Sequence, residues 1–387
     1  MPMPGTPGTH EVAFANGPTT LAGSLMTPAR DGPRHTGRTG LGPQPKGAPV
    51  AGVVMVGGSG PSDRDNDTYF PPIRRHLVDA GLAVLSYDKR GVGGSGGDWR
   101  DATMDDLAAD AVAALDFLRT RPGVRPEAVG LFGHSEGGWV ALRAAVTVRD
   151  GPSWVITNSC PAVTPAAQER HALEHALRER RPARGFPDRA ATATGDETAD
   201  GDETVDGTAT ATGTATATGD ETATGDETAD GTATADGIDI VASLALYDRL
   251  LEAGRRDAGF EEASRLVESA AETVSLGAYW AGMDDRLWRF LKRKQDHDPL
   301  PDALRLRCPH LAIFGGSDPL VPVAESVRLF GTAACRPGRH HRATLTVEVF
   351  PGADHRVRTD LGTRPAPGHL TTLTRWIADR TPGPARP

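Results

Sequence analysis

Short apolar runs alternate with longer amphipathic stretches along most of the chain. Runs of four to eight apolar residues bounded by Gly, Pro and polar residues are typical of buried strands, whereas the intervening stretches repeat at helical spacing. This alternation predicts an α/β fold with a mostly parallel eight-stranded sheet and helices on both faces. The first two predicted strands are expected to form an antiparallel hairpin. In chain order the predicted strands are HEVAFA, TTLAGSLMT, AGVVMV, LAVLSY, AVGLF, WVITNS, HLAIFGG and LTVEVFPG.

The alternation breaks once, after the sixth predicted strand. Between Thr164 and about Asp302 only helix-like segments occur, and strand patterns resume afterwards. The expected organisation is therefore a core in two parts, residues 1–160 and 306–387, interrupted by a helical cap or lid at residues 161–305. The helical segments of this cap are AAQERHALEHALRERR, IDIVASLALYDRLLEAGRR, FEEASRLVESAAETVS and DDRLWRFLKRKQ.

An acidic, low-complexity segment lies inside the predicted cap, at residues 190–237. It carries 12 of the chain's 51 acidic residues and no Lys or Arg, so it accounts for the net charge of −9. The rest of the chain has 39 acidic against 42 basic residues and is close to neutral. Val205 is its only larger apolar side chain, which is too little to offset the entropy of ordering. We expect a disordered loop.

Composition narrows the class of protein. The mean hydropathy is −0.36, and no apolar run approaches the roughly 20 residues that a bilayer-spanning helix needs. The first residues have neither a basic start nor an apolar core, so no signal peptide is expected. Three scattered cysteines are too few for a disulfide framework or a zinc site. We expect a cytoplasmic protein without membrane association.

The sequence GHSEGG places Ser135 between glycines where a strand is predicted to end and a helix to begin. G-x-S-x-G in this context forces the serine into a sharp, strained turn that exposes its hydroxyl above the strand ends. The new helix directs its N-terminal N–H groups at an oxyanion formed nearby. A glycine-rich helix cap is the structural alternative, because Ser is a common N-cap. The strand and helix on either side favour the nucleophile.

A nucleophilic serine requires a base and an orienting carboxylate. Asp318 follows the strand HLAIFGG, and His355 follows the strand LTVEVFPG. Both lie just past the carboxyl ends of predicted strands, where open α/β sheets place their sites. The chain order Ser135, Asp318, His355 predicts a catalytic triad. Asp354 is the weaker candidate for the acid, because adjacent side chains on one loop diverge.

These motifs resemble the α/β-hydrolase superfamily over nearly the whole chain outside the acidic segment. Val54–Asp67 resembles the strand-3 loop that carries the oxyanion hole, although Gly57 stands where a histidine is usual. The pair G-S-G-P-x-D-R-D and G-H-S-x-G-G resembles bacterial capped serine esterases. By position, the resemblance implies that the backbone N–H groups of Ser59 and Glu136 form the oxyanion hole. The Glu136 side chain is expected to face solvent, with a role in substrate binding as the alternative.

Four other motifs have competing interpretations. Gly91–Gly96 matches G-x-G-x-x-G, but no helix follows directly, which disfavours dinucleotide binding. His171 and His175 match a metalloprotease pattern on an otherwise charged helix. Arg339–Arg342 is basic but too short for nucleic-acid recognition. Cys160 is expected to be a small buried residue and not a second nucleophile. No cofactor, metal or nucleic-acid partner is expected.

The sequence thus predicts a serine hydrolase that cleaves a small-molecule carboxylic ester through an acyl-enzyme. A peptidase, an aminopeptidase or a thioesterase of the same fold is the alternative. From a different class, the chain could be a non-catalytic relative that only binds ligands. Substrate specificity depends on the cap and on pocket shape, which one sequence does not reveal, and the oligomeric state is open.

Overall fold

The computed structural model describes residues 8–29, 48–179, 234–235, 238–270, 280–360 and 362–381. Most of the acidic segment lies outside these residues. The expectation that it forms a disordered loop therefore also falls outside the part of the chain that the structure describes. Near the end of this segment, Thr234–Ala235 pairs with Ile238–Asp239, which follows the segment, as a two-residue antiparallel ladder.

Eight strands form one sheet in the spatial order β1-β2-β4-β3-β5-β6-β7-β8. The β1–β2 and β2–β4 pairs are antiparallel, and every other pair in this sheet is parallel. The predicted hairpin and the mostly parallel sheet are confirmed. The strands are β1 Gly8–Asn16, β2 Thr19–Thr27, β3 Val50–Val56, β4 Ala83–Tyr87, β5 Val124–His134, β6 Val155–Asn158, β7 His310–Gly315 and β8 Leu345–Phe350.

The sheet is buried on both faces because helices cover each of them. Strand β3 is buried along its whole length, and its residues alternate between two apolar cores. Val54 belongs to the core under α2 and α3, while Val53 and Met55 belong to the core under α1 and α10. The helices are α1 Phe70–Asp79, α2 Met104–Arg119, α3 Glu136–Thr147, α4 Pro165–Arg178, α5 Ile240–Arg255, α6 Phe260–Glu268, α7 Asp285–Lys294, α8 Leu300–Arg305, α9 Val323–Ala334 and α10 His369–Ala378.

Helices α4 to α7, hereafter the inserted helices, follow β6 and precede β7. They pack around an apolar core of their own, which includes Tyr247, Trp288 and Phe290. They rest on the loop after β4 through Trp99, whose ring lies edge-on to Phe290 at 5.0 Å between centroids. Arg286 adds an ion pair with Asp98 at 3.0 Å. The sheet is therefore interrupted where the sequence predicts.

The sequence also predicts helices near residues 69–80 and 104–120 and through HLTTLTRWIADR. These, the helix after Ser135 and the four cap segments match α1 to α7 and α10, with α6 ending at Glu268 and residues 271–279 outside the description. Helices α8 and α9 were not predicted. Among the described residues, no helix combines the length and the apolarity needed to cross a bilayer.

Candidate active site

Ser135 occupies a strained turn between β5 and α3. Its backbone angles are φ 54° and ψ −122°, in a region that costs a non-glycine residue about 1–3 kcal/mol. A Cβ at Gly133 would overlap the carbonyl of Gly137, and a Cβ at Gly137 would overlap the carbonyl of Val56. The glycines on either side of Ser135 are therefore required by space. The predicted strand–turn–helix context of the serine is present.

His355 and Asp318 lie within hydrogen-bonding distance. His355 Nδ1 is 2.8 Å from Asp318 Oδ2, and the Asp318 side chain is fully buried. The other oxygen, Oδ1, accepts the backbone N–H groups of Leu320 and Val321 at 2.8 and 3.2 Å. These contacts fix the Asp318 carboxylate. Because the carboxylate bonds Nδ1 of His355, the other ring nitrogen, Nε2, faces away from Asp318.

The side chain of Asp354, the alternative candidate for the acid, bonds backbone groups of its own loop. Its Oδ1 accepts the backbone N–H groups of Arg356 and Arg358, both at 2.9 Å. The carboxylate therefore shapes the loop that carries His355. Within the described residues, the hydrogen-bonded carboxyl partner of His355 is Asp318.

His134 connects the His355 loop to the serine turn. The rings of His134 and His355 have centroids 5.0 Å apart, and His134 Nε2 lies 3.3 Å from the His355 carbonyl oxygen. On its other side, His134 Nδ1 lies 2.9 Å from the Asn66 amide nitrogen. Burial lowers the pKa of His134 well below its usual range, with a further contribution from His355. His134 is therefore a neutral hydrogen-bonding group next to Ser135.

The loop after β3 lies against the serine turn. Asn66 Oδ1 accepts the N–H of Gly58 at 3.2 Å and the hydroxyl of Ser62 at 2.7 Å. Among the described residues, the backbone N–H groups of Ser59 and Glu136 have no protein acceptor. The oxyanion-hole role that the resemblance implies for these two N–H groups stays a prediction.

The Glu136 side chain does not face solvent, so that expectation is wrong. It is fully buried and binds Lys89 Nζ at 2.8 Å and Lys294 Nζ at 2.5 Å. Burial alone would raise the pKa of the carboxyl, but Lys294 and Lys89 outweigh it and lower the pKa to about 2. Sequence reasoning missed both lysines.

The glycines of the G-x-G-x-x-G match wrap around a structural aspartate. Asp88 accepts the backbone N–H of Gly94 at 3.0 Å and pairs with Arg64 at 2.7 Å. Gly91 and Gly93 have φ of 74° and 53°, which side chains rarely tolerate. This loop therefore braces the β3 loop through Arg64.

The other motifs have structural surroundings. His171 and His175 lie on α4 with ring centroids 6.5 Å apart, and no three His, Cys, Asp or Glu side chains cluster as metal ligands in the described part of the chain. Arg339 donates to the carbonyls of Ala343 and Ala303. Cys160 is buried, and burial raises its pKa well above its usual value.

A cavity of about 40 Å³ lies among the inserted helices. Its polar end carries Glu169 and Lys294, and burial raises the pKa of Glu169. Gln168, next in sequence, donates to the Leu320 carbonyl at 2.9 Å, so α4 contacts the loop that holds the buried Asp318. A larger open groove of about 910 Å³ lies along α2 and α3. None of the candidate residues Ser59, Ser135, Glu136, Asp318 and His355 lines the groove or the small cavity. The remaining lining of the small cavity is mostly apolar and aromatic: Pro165, Ala166, Tyr247, Leu250, Leu251, Trp280, Met283, Trp288, Leu291 and Gln295.

Sequence comparisons with known proteins match part of this chain. The sequence model of the serine aminopeptidase (S33) family matches residues 64–195. The thiohydrolase aneE of Aspergillus aculeatus is 34% identical over 104 residues, which is 26% of this chain and 32% of that protein. The thiohydrolase apmlB of Arthrinium phaeospermum is 35% identical over 107 residues, 26% of this chain and 34% of that protein. The matched region thus spans about a third of the length of these curated relatives.

A solved structure extends the likeness to the whole fold. The esterase Pf2001 of Pyrococcus furiosus superposes with a TM-score of 0.51 at 14% identity, covering 97% of this chain and 91% of that chain. At this identity the match describes the fold alone. The sheet order and this likeness lead to one classification: the chain has the α/β-hydrolase fold.

Proposed function

We propose that the protein is a serine hydrolase that cleaves carboxylic esters through an acyl-enzyme intermediate. The observation that carries the proposal is the 2.8 Å bond between His355 and the buried Asp318, and the strained φ of 54° at Ser135 supports it. A buried carboxylate bound to a largely buried imidazole is the arrangement that orients a base for nucleophile activation.

In the proposed mechanism Ser135 Oγ attacks the ester carbonyl while His355 Nε2 takes its proton. His355 then gives the proton to the departing alcohol. Asp318 holds the imidazole through Nδ1 and stabilises the imidazolium. The N–H groups of Ser59 and Glu136 donate to the oxyanion, and each such donor contributes about 3–4 kcal/mol. A water activated by His355 releases the acid.

The inserted helices supply the proposed substrate pocket. We assign residues 161–305 as a cap, with the core in residues 1–160 and 306–387. Glu169 and Lys294 form the polar end of the cap cavity, and Lys294 bonds the residue that follows Ser135. An apolar group of a small-molecule ester would therefore enter the Trp- and Leu-lined part of this cavity. No cofactor takes part in this mechanism, and the proposed compartment is the cytoplasm.

Thioester cleavage is the second candidate. The two curated relatives at 34% and 35% identity are named thiohydrolases, and the same acyl-enzyme route serves esters and thioesters. The name of the matching family also keeps short peptides among the candidate substrates. All three share the serine nucleophile, so the first test is common to them.

A fluorophosphonate probe tests the nucleophile directly. The wild-type protein should become labelled at Ser135, and Ser135→Ala should be neither labelled nor active. A panel of p-nitrophenyl esters of increasing acyl length, matched thioesters and aminoacyl-p-nitroanilides then ranks the substrate classes. Labelling that survives Ser135→Ala would refute the proposal, and hydrolysis of the anilides above the esters would move the protein to the peptidases.

A further inference from the structure

The carboxylate of Glu136 binds side chains from three separate parts of the chain. Lys89 comes from the loop after β4 and Lys294 from the last turn of α7. Ser59, on the loop after β3, directs its hydroxyl at Glu136 Oε2 at 3.4 Å. The side chains of Glu136, Lys89 and Lys294 are 0%, 9% and 7% exposed. A buried three-charge cluster therefore lies directly behind the serine turn.

Stability alone does not account for this cluster. Each buried charge loses its hydration, and apolar replacements of buried ion pairs are often neutral or stabilising. Burial also lowers the pKa of Lys89 although Glu136 acts in the opposite direction. The cluster is better explained by what its members hold in place.

The cluster links the two peptide groups that are proposed to bind the oxyanion. Glu136 supplies one N–H and its own carboxylate reaches Ser59, which supplies the other. Lys89 bonds both Glu136 and the carbonyl of Gly58, so it holds the loop next to Ser59 as well. Oxyanion donors act only when they are fixed at hydrogen-bonding distance from the developing charge. The carboxylate sets the spacing between these two donors.

Lys294 is the contribution of the inserted helices to this arrangement. It bonds Glu136 Oε2 at 2.5 Å, the same oxygen that faces the Ser59 hydroxyl. Its Nζ also lies 4.6 Å from the ring centroid of Phe290, inside the apolar core of those helices. Seating of α7 on the core therefore brings an ammonium group to the carboxylate that positions both donors.

We propose that Glu136 and Lys294 are positioning residues whose ion pair couples the seating of the inserted helices to the geometry of the oxyanion hole. The inference rests on the proposed function, because it assigns a task within the serine-hydrolase mechanism. It predicts that loss of Lys294 weakens binding of the transition state more than binding of the substrate.

The test compares Lys294→Met and Lys294→Arg with Lys292→Met. Lys292 lies on the same helix, but it pairs with Asp257 within the inserted helices and does not contact Glu136. For each variant one measures kcat and KM with the best p-nitrophenyl ester, the Ki of an alkylboronic acid that mimics the tetrahedral intermediate, and Tm.

Lys294→Met should lower kcat about 10- to 100-fold with a smaller change in KM, because a misplaced donor costs mainly transition-state stabilisation, although Lys294 also lines the proposed pocket. The affinity for the boronic acid should fall by the same factor as kcat/KM. Lys294→Arg should restore most of both, and Lys292→Met should retain wild-type values. If Lys294→Met does not fold, Lys294→Gln replaces it in the test. Glutamine keeps a hydrogen-bond donor for Glu136, so this variant should lose kcat as well, but by a smaller factor.

A raised KM with unchanged kcat would overturn the inference, since Lys294 would then serve substrate binding or cap packing. Equal behaviour of Lys294→Met and Lys292→Met would overturn it as well. Fluorophosphonate labelling separates the two levels of the argument. If the wild-type protein is labelled at Ser135 but Lys294→Met has wild-type kinetics, only the positioning role is refuted. If the wild-type protein is not labelled, the proposed function itself is refuted.

Discussion

The Asn66 side-chain amide donates a hydrogen bond to His134 Nδ1 at 2.9 Å. The orientation of this amide follows from its other contacts, because Asn66 Oδ1 already accepts the Ser62 hydroxyl and the Gly58 N–H. Nδ1 of His134 is therefore the acceptor, and Nε2 carries the proton and donates to the His355 carbonyl at 3.3 Å. One neutral histidine thus joins the loop of the proposed base to the loop of the proposed oxyanion hole.

Asn66→Asp should disrupt this connection. The substitution replaces the amide N–H that faces His134 with a carboxylate oxygen, so Nδ1 must take a proton and the imidazole must change tautomer or become charged. We expect kcat to fall about 10- to 100-fold, together with a loss of about 1–3 kcal/mol in unfolding free energy. Ser62→Ala, which leaves the Asn66–His134 bond in place, should lose much less in ester kinetics. A wild-type rate in Asn66→Asp would show that the Asn66–His134 hydrogen bond does not contribute to catalysis.

Asp318→Asn should be far more harmful than Asp354→Asn. Asp318 holds His355 at Nδ1, and an amide there would favour the wrong tautomer, which we expect to cost about 10³- to 10⁴-fold in kcat. Asp354 bonds only backbone N–H groups of its own loop, so its amide should cost less than about tenfold. Steady-state ester kinetics with Tm as the folding control measure both. The reverse ranking would transfer the acid to Asp354.

The parts of the site that the sequence predicts are those with local signals. Ser135, Asp318 and His355 each follow an apolar strand and lie among glycines and prolines, and parallel strands bring such positions to one edge of a sheet. The glycine spacing around Ser135 indicates the strained turn. Gly133 and Gly137 lie where the backbone passes too close to another segment for a side chain to fit, so the sequence must have glycine there.

The Glu136 cluster has no such signal. Lys89 and Lys294 are 47 and 158 residues from Glu136 in sequence, and a lone lysine on an amphipathic helix is usually solvated. Only the packing of α7 onto the core brings the charges together, so the sequence suggested an exposed Glu136.

Helix α9 was missed for a different reason. Its buried positions are Ser326, Phe330 and Ala333, and only one of these carries a large apolar side chain. The partly buried Val323 and Val327 recur with Phe330 at helical spacing, so the sequence does carry a helical signal in this segment that the prediction did not use.

The dependence of stability on pH should reveal the buried charge of Glu136. Its pKa is about 2 in the folded protein, below the ordinary glutamate value of 4.5. A lowered carboxyl pKa contributes stability that is fully present above pH 4.5 and is lost as the pH falls through 2. The gap in unfolding free energy between wild type and Glu136→Gln should therefore shrink by about 3 kcal/mol from pH 5 to pH 2. Urea titrations at matched pH values measure it, and a constant gap would show that the ion pairs do not hold this charge.

Removal of residues 190–233, with a linker of about ten residues, should preserve folding and most of the activity. The remaining chain keeps α4 and retains the ladder between Thr234–Ala235 and Ile238–Asp239, which leads into α5. The removed residues carry acidic and small side chains with little apolar surface to bury. Shortening the 54-residue connection between Glu179 and Thr234 to about 20 residues recovers about 0.9 kcal/mol of closure entropy.

Thermal melting and ester kinetics on two or three linker lengths check this last expectation. Since the deletion lies between two of the inserted helices, a strained join would displace α4 or α5 and change the pocket that both of them line. A strained join should raise KM for short linkers only and leave kcat near wild type once the linker is long enough. A kcat loss beyond about tenfold at every linker length would instead show that the acidic segment itself contributes to catalysis, because linker strain is relieved by added residues whereas a missing functional group is not.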